Sequence, residues 1–209
     1  MYRVKEIFYS IQGEGFHSGR PAVFCRFSGC NLWSGREEDR SGARCRFCDT
    51  DFTGTDGTAG GTYETAADLA DRISGFWPDG RKHLFVVLTG GEPLLQVDDA
   101  LLSVLRDAGF EIAVETNGTT VAPAGIDWLS VSPKAGVRLA QKSGQELKLV
   151  YPQEKLDPAT YAKLDFRYFF LQPRDGKDRE DALCRTLDYV LAHPQWRLSL
   201  QTHKWLGIR

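Results

Sequence analysis

The sequence predicts an α/β fold, an incomplete, open parallel β/α barrel of about six strands with fewer helices than strands. Three observations predict it. From residue 84 onward, short apolar runs alternate with amphipathic segments, which implies parallel pairing with crossovers. Two connections, 118–127 and 135–145, are too short for a full crossover helix with its loops, so helices should be outnumbered. The polar and Gly/Pro-containing residues fall just after the strands, at what would be one rim of a sheet.

Length and composition narrow the class. The 209 residues carry no internal repeat and no linker-like stretch, so one domain spanning 1–209 is expected, with ample length for a core. A net charge of −2 gives no basic excess for nucleic acid or a membrane surface. No apolar run is long enough to span a bilayer, and the first residues lack a signal-peptide pattern, so a cytoplasmic location is expected. Five cysteines at uneven spacing argue against a disulfide framework.

Taken in order, residues 5–15 (KEIFYSIQGEG) read as an N-terminal segment ending in a Gly-rich turn. Residues 22–28 read as a strand, with Phe24, Arg26 and Ser28 on one face and Val23, Cys25 and Phe27 on the other. Residues 53–61 form a flexible Gly/Thr run. A helix is expected over 65–76 with Thr65 as N-cap. Strands follow at 84–89, 111–116, 128–132, 146–150, 167–172 and 197–201. Between them lie a helix over 98–108, with Leu101, Leu105 and Ala108 on one stripe, and a helix over 178–192. The later helix should face inward through Leu183, Leu187, Val190 and Leu191, with Cys184 on its inner edge as a packing residue.

The cysteines carry the sharpest signal. Cys30 is followed after fourteen residues by Cys45-Arg-Phe-Cys48, and the intervening 34–44 is polar, hence surface loop. Three thiolates at this spacing suit an iron–sulfur cluster with one open iron. Cys25, Cys30, Cys45 and Cys48 together also resemble a zinc ribbon, although Cys25 lies mid-strand between aromatic residues, where a small buried thiol suffices. Thr89-Gly90-Gly91-Glu92-Pro93 follows one strand. Two glycines there let a ligand approach the backbone closely, and Glu92 offers a carboxylate to an amine.

These residues resemble the radical S-adenosylmethionine superfamily, whose signature is three closely spaced cysteines and a later Gly-Gly-Glu-Pro motif. Within it the chain resembles the 7-carboxy-7-deazaguanine synthase family along its whole length, through Gln12-Gly-Glu-Gly15, Arg26, Cys48-Asp-Thr50, Thr89–Pro93, Glu115–Gly118, Ser132-Pro-Lys134, Gln172-Pro173 and Gln201–Lys204. The departure is the fourteen-residue first cysteine spacing, which bears on the path of that loop.

The resemblance implies a radical SAM core. It implies a 4Fe–4S cluster on Cys30, Cys45 and Cys48, S-adenosylmethionine on the open iron, and Mg²⁺ on Thr50, with Asp49 assisting or shaping the loop. It implies cofactor contacts at Phe47, Gly90, Gly91, Glu92, Ser132, Pro133, Lys134, Gln172, Pro173, Arg174 and Asp175. A pterin substrate would meet Gln12, Gly13, Glu14, Arg26, Thr89 and His203, and the chain end at Arg209 would close the pocket. Gln12 and Glu14 suit a guanidine-like edge and Arg26 a carboxylate. Lys134 and His203 are candidates for moving protons. A homodimer and a reductant protein such as a flavodoxin are the implied partners, with no nucleic acid and no membrane. Two other readings remain, a glycyl-radical activating enzyme and a non-catalytic zinc-ribbon binding protein.

Overall fold

Alternation along the strands decides the architecture. The computed structural model describes every residue except Asp79 and Arg81. Its described residues form one nine-stranded sheet in the order β3-β1-β2-β4-β5-β6-β7-β8-β9. β2 (Pro21–Phe27), β4 (Phe85–Gly90), β5 (Glu111–Thr116), β6 (Trp128–Val131), β7 (Ser143–Tyr151), β8 (Asp165–Pro173) and β9 (Trp196–Leu198) pair in parallel. β1 (Tyr2–Ile11) runs antiparallel to β2, and β3 (Gly61–Tyr63) antiparallel to β1. The two edge strands do not meet, so the barrel is open, as expected.

Two strands, β1 and β3, were not expected, and a third is shifted. β1 was read only as a segment leading to a turn, because a register shift between Val4 and Glu6 interrupts its period-two pattern. β3 is too short, at three residues, to announce itself. The last strand sits at Trp196–Leu198 rather than 197–201, with Ser199 already leaving the sheet.

One face of the parallel strands is apolar throughout. Val23, Cys25 and Phe27, Val86 and Leu88, Ile112 and Val114, Leu147 and Leu149 join one buried core with helix residues. Helix α1 (Ala66–Ser74) and helix α2 (Asp99–Asp107) cover it, packed on each other. Thr65 and Asp68 form a reciprocal capping box at the start of α1, and the Asp98 side chain caps α2. Helix α3 (Pro158–Tyr161) is a single turn, and helix α4 (Arg179–Ala192) packs on β8 and β9. No helix is described in 118–127 or 135–142, as the short connections required.

The face expected for α4 is corrected. Its buried positions are Ala182 and Thr186, with Tyr189 and Val190 packed against the core. Leu191 is 80% exposed, Leu187 is exposed, and Cys184 lies on the outer side. Small Ala182 and Thr186 let the helix approach the sheet closely, which rotates the leucines outward.

Leu101 has no exposed surface where α2 meets the sheet. Replacing it with Ala should destabilise the fold by about 3 kcal/mol. The expected result is a lower urea midpoint with an unchanged slope.

Candidate active site

The second face of the strands changes character along its length. Near the strand starts, Phe8, Phe24, Phe85, Val87 and Ala113 form a small apolar cluster, with Phe8 and Phe24 stacked at 5.2 Å between centroids. Toward the C-terminal ends the same face carries Arg26, Thr89, Glu115, Ser130, Lys148 and Gln172. These surround a cavity of about 650 Å³. That volume lies in the middle of the range typical of small-molecule sites. The cavity therefore stands where parallel α/β sheets bind ligands.

The cysteine loop forms part of its wall. Cys30, Cys45 and Cys48 all line the cavity. Cys45 and Cys48 act on one another, Cys48 being pulled down and Cys45 pushed up, with burial acting upward on both. Burial pushes Cys30 up as well. Cys25 is fully buried on the other face of β2, and Cys184 is exposed on α4. A four-cysteine zinc ribbon is thereby ruled out, since Cys25 cannot reach the loop. Among the described residues no three His, Cys, Asp or Glu side chains close on a single-ion position. Three soft thiols in the wall of one roomy cavity fit a cluster held by three protein ligands.

The 34–44 insert lies on the surface, with a 3₁₀ turn at Glu37–Gly42, yet it is anchored. The Arg40 guanidinium sits 4.1 Å from the Trp33 ring and donates to the carbonyls of Arg46 (3.0 Å) and Cys48 (3.1 Å). The Trp33 indole donates to the Arg36 carbonyl at 3.1 Å. The insert thus braces the Cys45–Cys48 turn from outside.

Gly91 brings the loop and the sheet together. A Cβ there would stand 2.6 Å from the Gly29 carbonyl carbon and 2.9 Å from Cys30 Cβ, so only glycine fits. Glu92 follows with no exposed surface. Its carboxylate accepts from the Thr116 hydroxyl and the Asn117 amide, both at 2.7 Å, and from the Leu94 amide at 3.0 Å. Burial pushes it up despite these bonds. Glu92 is thus committed to the protein and is not among the cavity-lining residues; Pro133 and Arg174 are also absent from the lining, and Arg174 pairs with Asp178. All the other sequence-predicted site residues line this one cavity.

The floor is polar and densely bonded. Gln12 donates to Glu115 at 3.0 Å and accepts from the Glu14 amide at 3.1 Å. Thr89 donates to the second Glu115 oxygen at 3.0 Å. Glu6 accepts from Arg26 Nε at 3.0 Å, which leaves the terminal nitrogens of that guanidinium for a ligand. Lys134 is half-buried and donates to the Ser132 carbonyl (2.6 Å) and hydroxyl (2.7 Å); burial pushes its ammonium down.

The C-terminal residues complete the wall. Helix α5 (Thr202–Leu206) docks by two bonds from Thr202, amide and hydroxyl, to the Gly13 carbonyl, each at 3.0 Å. Lys204 Nζ lies between Asp49 (2.5 Å) and Asp175 (2.6 Å). Arg209 reaches Glu6 at 2.9 Å, and its carbonyl accepts from Ser10. His203 lines the cavity beside Gly13.

Sequence reasoning missed Glu6 and Lys148, and gave no site role to Glu115, Gln201 and Lys204 although they lie in motifs that carried the resemblance. The signal for Lys148 was present: Glu146-Leu-Lys-Leu-Val places two charges on one face of a strand whose other face is apolar, which a buried strand tolerates only where the charges are paired.

A family model of the radical SAM superfamily matches residues 42–146. With the open barrel and the three-cysteine cavity, this defines a radical S-adenosylmethionine protein. The chain is 61% identical over 208 residues to the 7-carboxy-7-deazaguanine synthase of Bradyrhizobium diazoefficiens, covering 100% of this chain and 99% of that one. It is 58% identical over 207 residues to that of Burkholderia multivorans, covering 99% of each. The crystal structure of QueE from Escherichia coli superposes with a TM-score of 0.70 at 27% identity, covering 96% of this chain and 93% of the other. The chain belongs to the 7-carboxy-7-deazaguanine synthase family.

Gly91→Ala should displace the cysteine loop. The expected result is a folded protein that retains less than about half the iron of the wild type after anaerobic reconstitution, since a Cβ in hard contact with backbone forces a shift. Iron assay and the visible absorbance of the protein read it.

Proposed function

We propose that this protein converts 6-carboxy-5,6,7,8-tetrahydropterin to 7-carboxy-7-deazaguanine with loss of ammonia, as a carbon–nitrogen lyase of 7-deazapurine and queuosine biosynthesis. The observation that carries the reading is one cavity that gathers Cys30, Cys45 and Cys48 with Gln12, Glu14 and Arg26. When bound, a reduced 4Fe–4S cluster and S-adenosylmethionine supply the 5′-deoxyadenosyl radical that takes a hydrogen atom from carbon 6 of the pterin.

The chain's own residues bind, orient and enclose. Cys30, Cys45 and Cys48 hold the cluster. The Gly90-Gly91 backbone receives the amino group of the methionine moiety, and Glu92 acts behind it by fixing the turn rather than by contact. Ser132, Lys134, Gln172, Pro173 and Asp175 line the path of the remaining cofactor, with Phe47 beside its adenine. Pro133 and Arg174 shape those loops from outside the lining. Gln12, Gly13 and Glu14 take the guanidine-like edge of the pterin, Arg26 its carboxylate, and Thr89, His203 and the Arg209 end enclose it. Thr50 is assigned to Mg²⁺ as a hard oxygen donor in the lining, with Asp49 beside it held ionised by Lys204 against the upward pull of burial.

The same reading covers partners. Exposed Tyr9 and Ile11 on β1 and exposed Trp205, Leu206 and Ile208 in the C-terminal segment support a homodimer. A reductant protein such as a flavodoxin would supply the electron that the bound cluster passes on. Thiolate ligation suits the reducing cytoplasm. No helix among the described residues is long and apolar enough to cross a membrane.

Anaerobic reconstitution, reduction, and addition of S-adenosylmethionine, Mg²⁺ and the pterin should yield 7-carboxy-7-deazaguanine by mass spectrometry. Cofactor cleavage without that product would keep the chemistry class and discard the substrate. Replacing Cys30, Cys45 or Cys48 singly with Ala should abolish product and bleach the brown protein, whereas Cys184→Ala should do neither.

A further inference from the structure

Behind the residues assigned to the substrate stands a buried cation that no step above uses. Lys148 projects from β7 into the cavity floor with a side chain only 7% exposed. Its Nζ donates to Glu14 Oε2 and lies 3.9 Å from Glu115. Glu146, two residues earlier on the same face, is a third carboxylate in its field, and the charge of Lys148 in turn adds to the burial that pushes the Lys134 ammonium down. The second oxygen of Glu14 accepts from Gln201 at 2.9 Å. Glu14 is therefore held at both oxygens, by Lys148 from β7 and by Gln201 ahead of α5.

The charge of Glu14 decides what it can recognise. An ionised carboxylate only accepts hydrogen bonds, and its remaining lone pairs suit two neighbouring N–H donors. Protonated, it offers a donor to a partner that has no acceptor there. Burial alone would favour the protonated form. Against burial, the Lys148 ammonium and the bonds from Lys148 and Gln201 hold Glu14 below the usual carboxylate range, with Asp49 opposing them weakly. Burial works to lower Lys148 too, but Glu14, Glu115 and Glu146 outweigh it and push it up. Glu146 behaves differently: burial pushes it up, and its oxygens face the Phe16 amide (3.0 Å) and the Ser130 hydroxyl (3.1 Å).

We infer that Lys148 is a positioning residue that acts on the substrate through Glu14, fixing it as an oriented double acceptor for the donor edge of the pterin. This rests on the substrate reading above. Lys148 selects ligands with paired N–H donors at that edge and rejects those with an acceptor there, because the acceptor would face an anion.

The test is a double-mutant cycle read by anaerobic calorimetry of 6-carboxy-5,6,7,8-tetrahydropterin binding to wild type, Glu14→Gln, Lys148→Met and the double variant. Lys148→Met should weaken binding at least about tenfold, as truncating one member of a buried ion pair does. It should raise KM more than it lowers kcat, with iron content and S-adenosylmethionine affinity retained. In the Glu14→Gln background the same change should alter Kd less than about twofold. Lys148→Gln is measured in parallel, so that either neutral variant that keeps the wild-type melting temperature gives the reading. Unchanged pterin affinity, losses that multiply independently in the double variant, or a fall in kcat with unchanged Kd would overturn the inference. A wild-type protein that binds no pterin would instead overturn the functional reading itself, and the inference with it.

Discussion

The buried carboxylate of Glu92 holds the architecture of this site together. It accepts three hydrogen bonds where no water can reach, from the turn after β4 and from the exit of β5. An ion so placed is tolerable only while every bond is made. Two strand ends are therefore locked to one another, and the lock extends outward. The Asn117 side chain donates to Asn31 at 3.0 Å, and the Glu92 amide donates to the Gly29 carbonyl at 2.9 Å. The start of the cysteine loop at Gly29–Asn31 thus inherits its position from the sheet, while Arg40 of the insert braces its far end at Arg46 and Cys48.

A second constraint follows from the pleat. One face of each parallel strand belongs to the helix-covered core, so polar chemistry is confined to the other face and to the rim. Charges on that inner face need partners, and they find them in layers: Arg26 with Glu6, Glu14 with Lys148, and Glu115 with the neutral donors Gln12 and Thr89. Gly15, at φ +64°, lets the N-terminal segment drop into this layer, since a Cβ there would stand 2.8 Å from the Glu146 carboxyl carbon. The polar network serves as the inner wall of the barrel where a closed fold would have side chains filling its centre.

Much of this was legible beforehand for physical reasons. Continuous apolar runs such as 84–89 can only be buried strands here, and Thr65 and Asp98 are side chains whose capping chemistry marks helix starts. The rim residues were legible because glycines, cysteines and a Glu-Pro turn have few structural uses in combination. What stayed hidden depended on tertiary contact. The bulge in β1 disguised a ten-residue strand. The rotation of α4 was set by the small size of Ala182 and Thr186, which apolar periodicity outvotes. Glu92 looked like a ligand for an amine because its sequence position reports the rim, whereas its direction into the protein is decided by Thr116 and Asn117, more than twenty residues away.

The docking of α5 also sets an order of events during synthesis. Thr202 bonds Gly13 across 189 positions, and Lys204 reaches back to Asp49 across 155. Such distant contacts form late, because loop closure must precede any reward from them. The three cysteines emerge and can be held by β2, β4 and β5 while the segment that walls the cavity is still being made. Until 202–209 dock, the cavity wall that carries Cys30, Cys45 and Cys48 lacks part of its cover, and the thiols stand more open to solvent than in the finished fold.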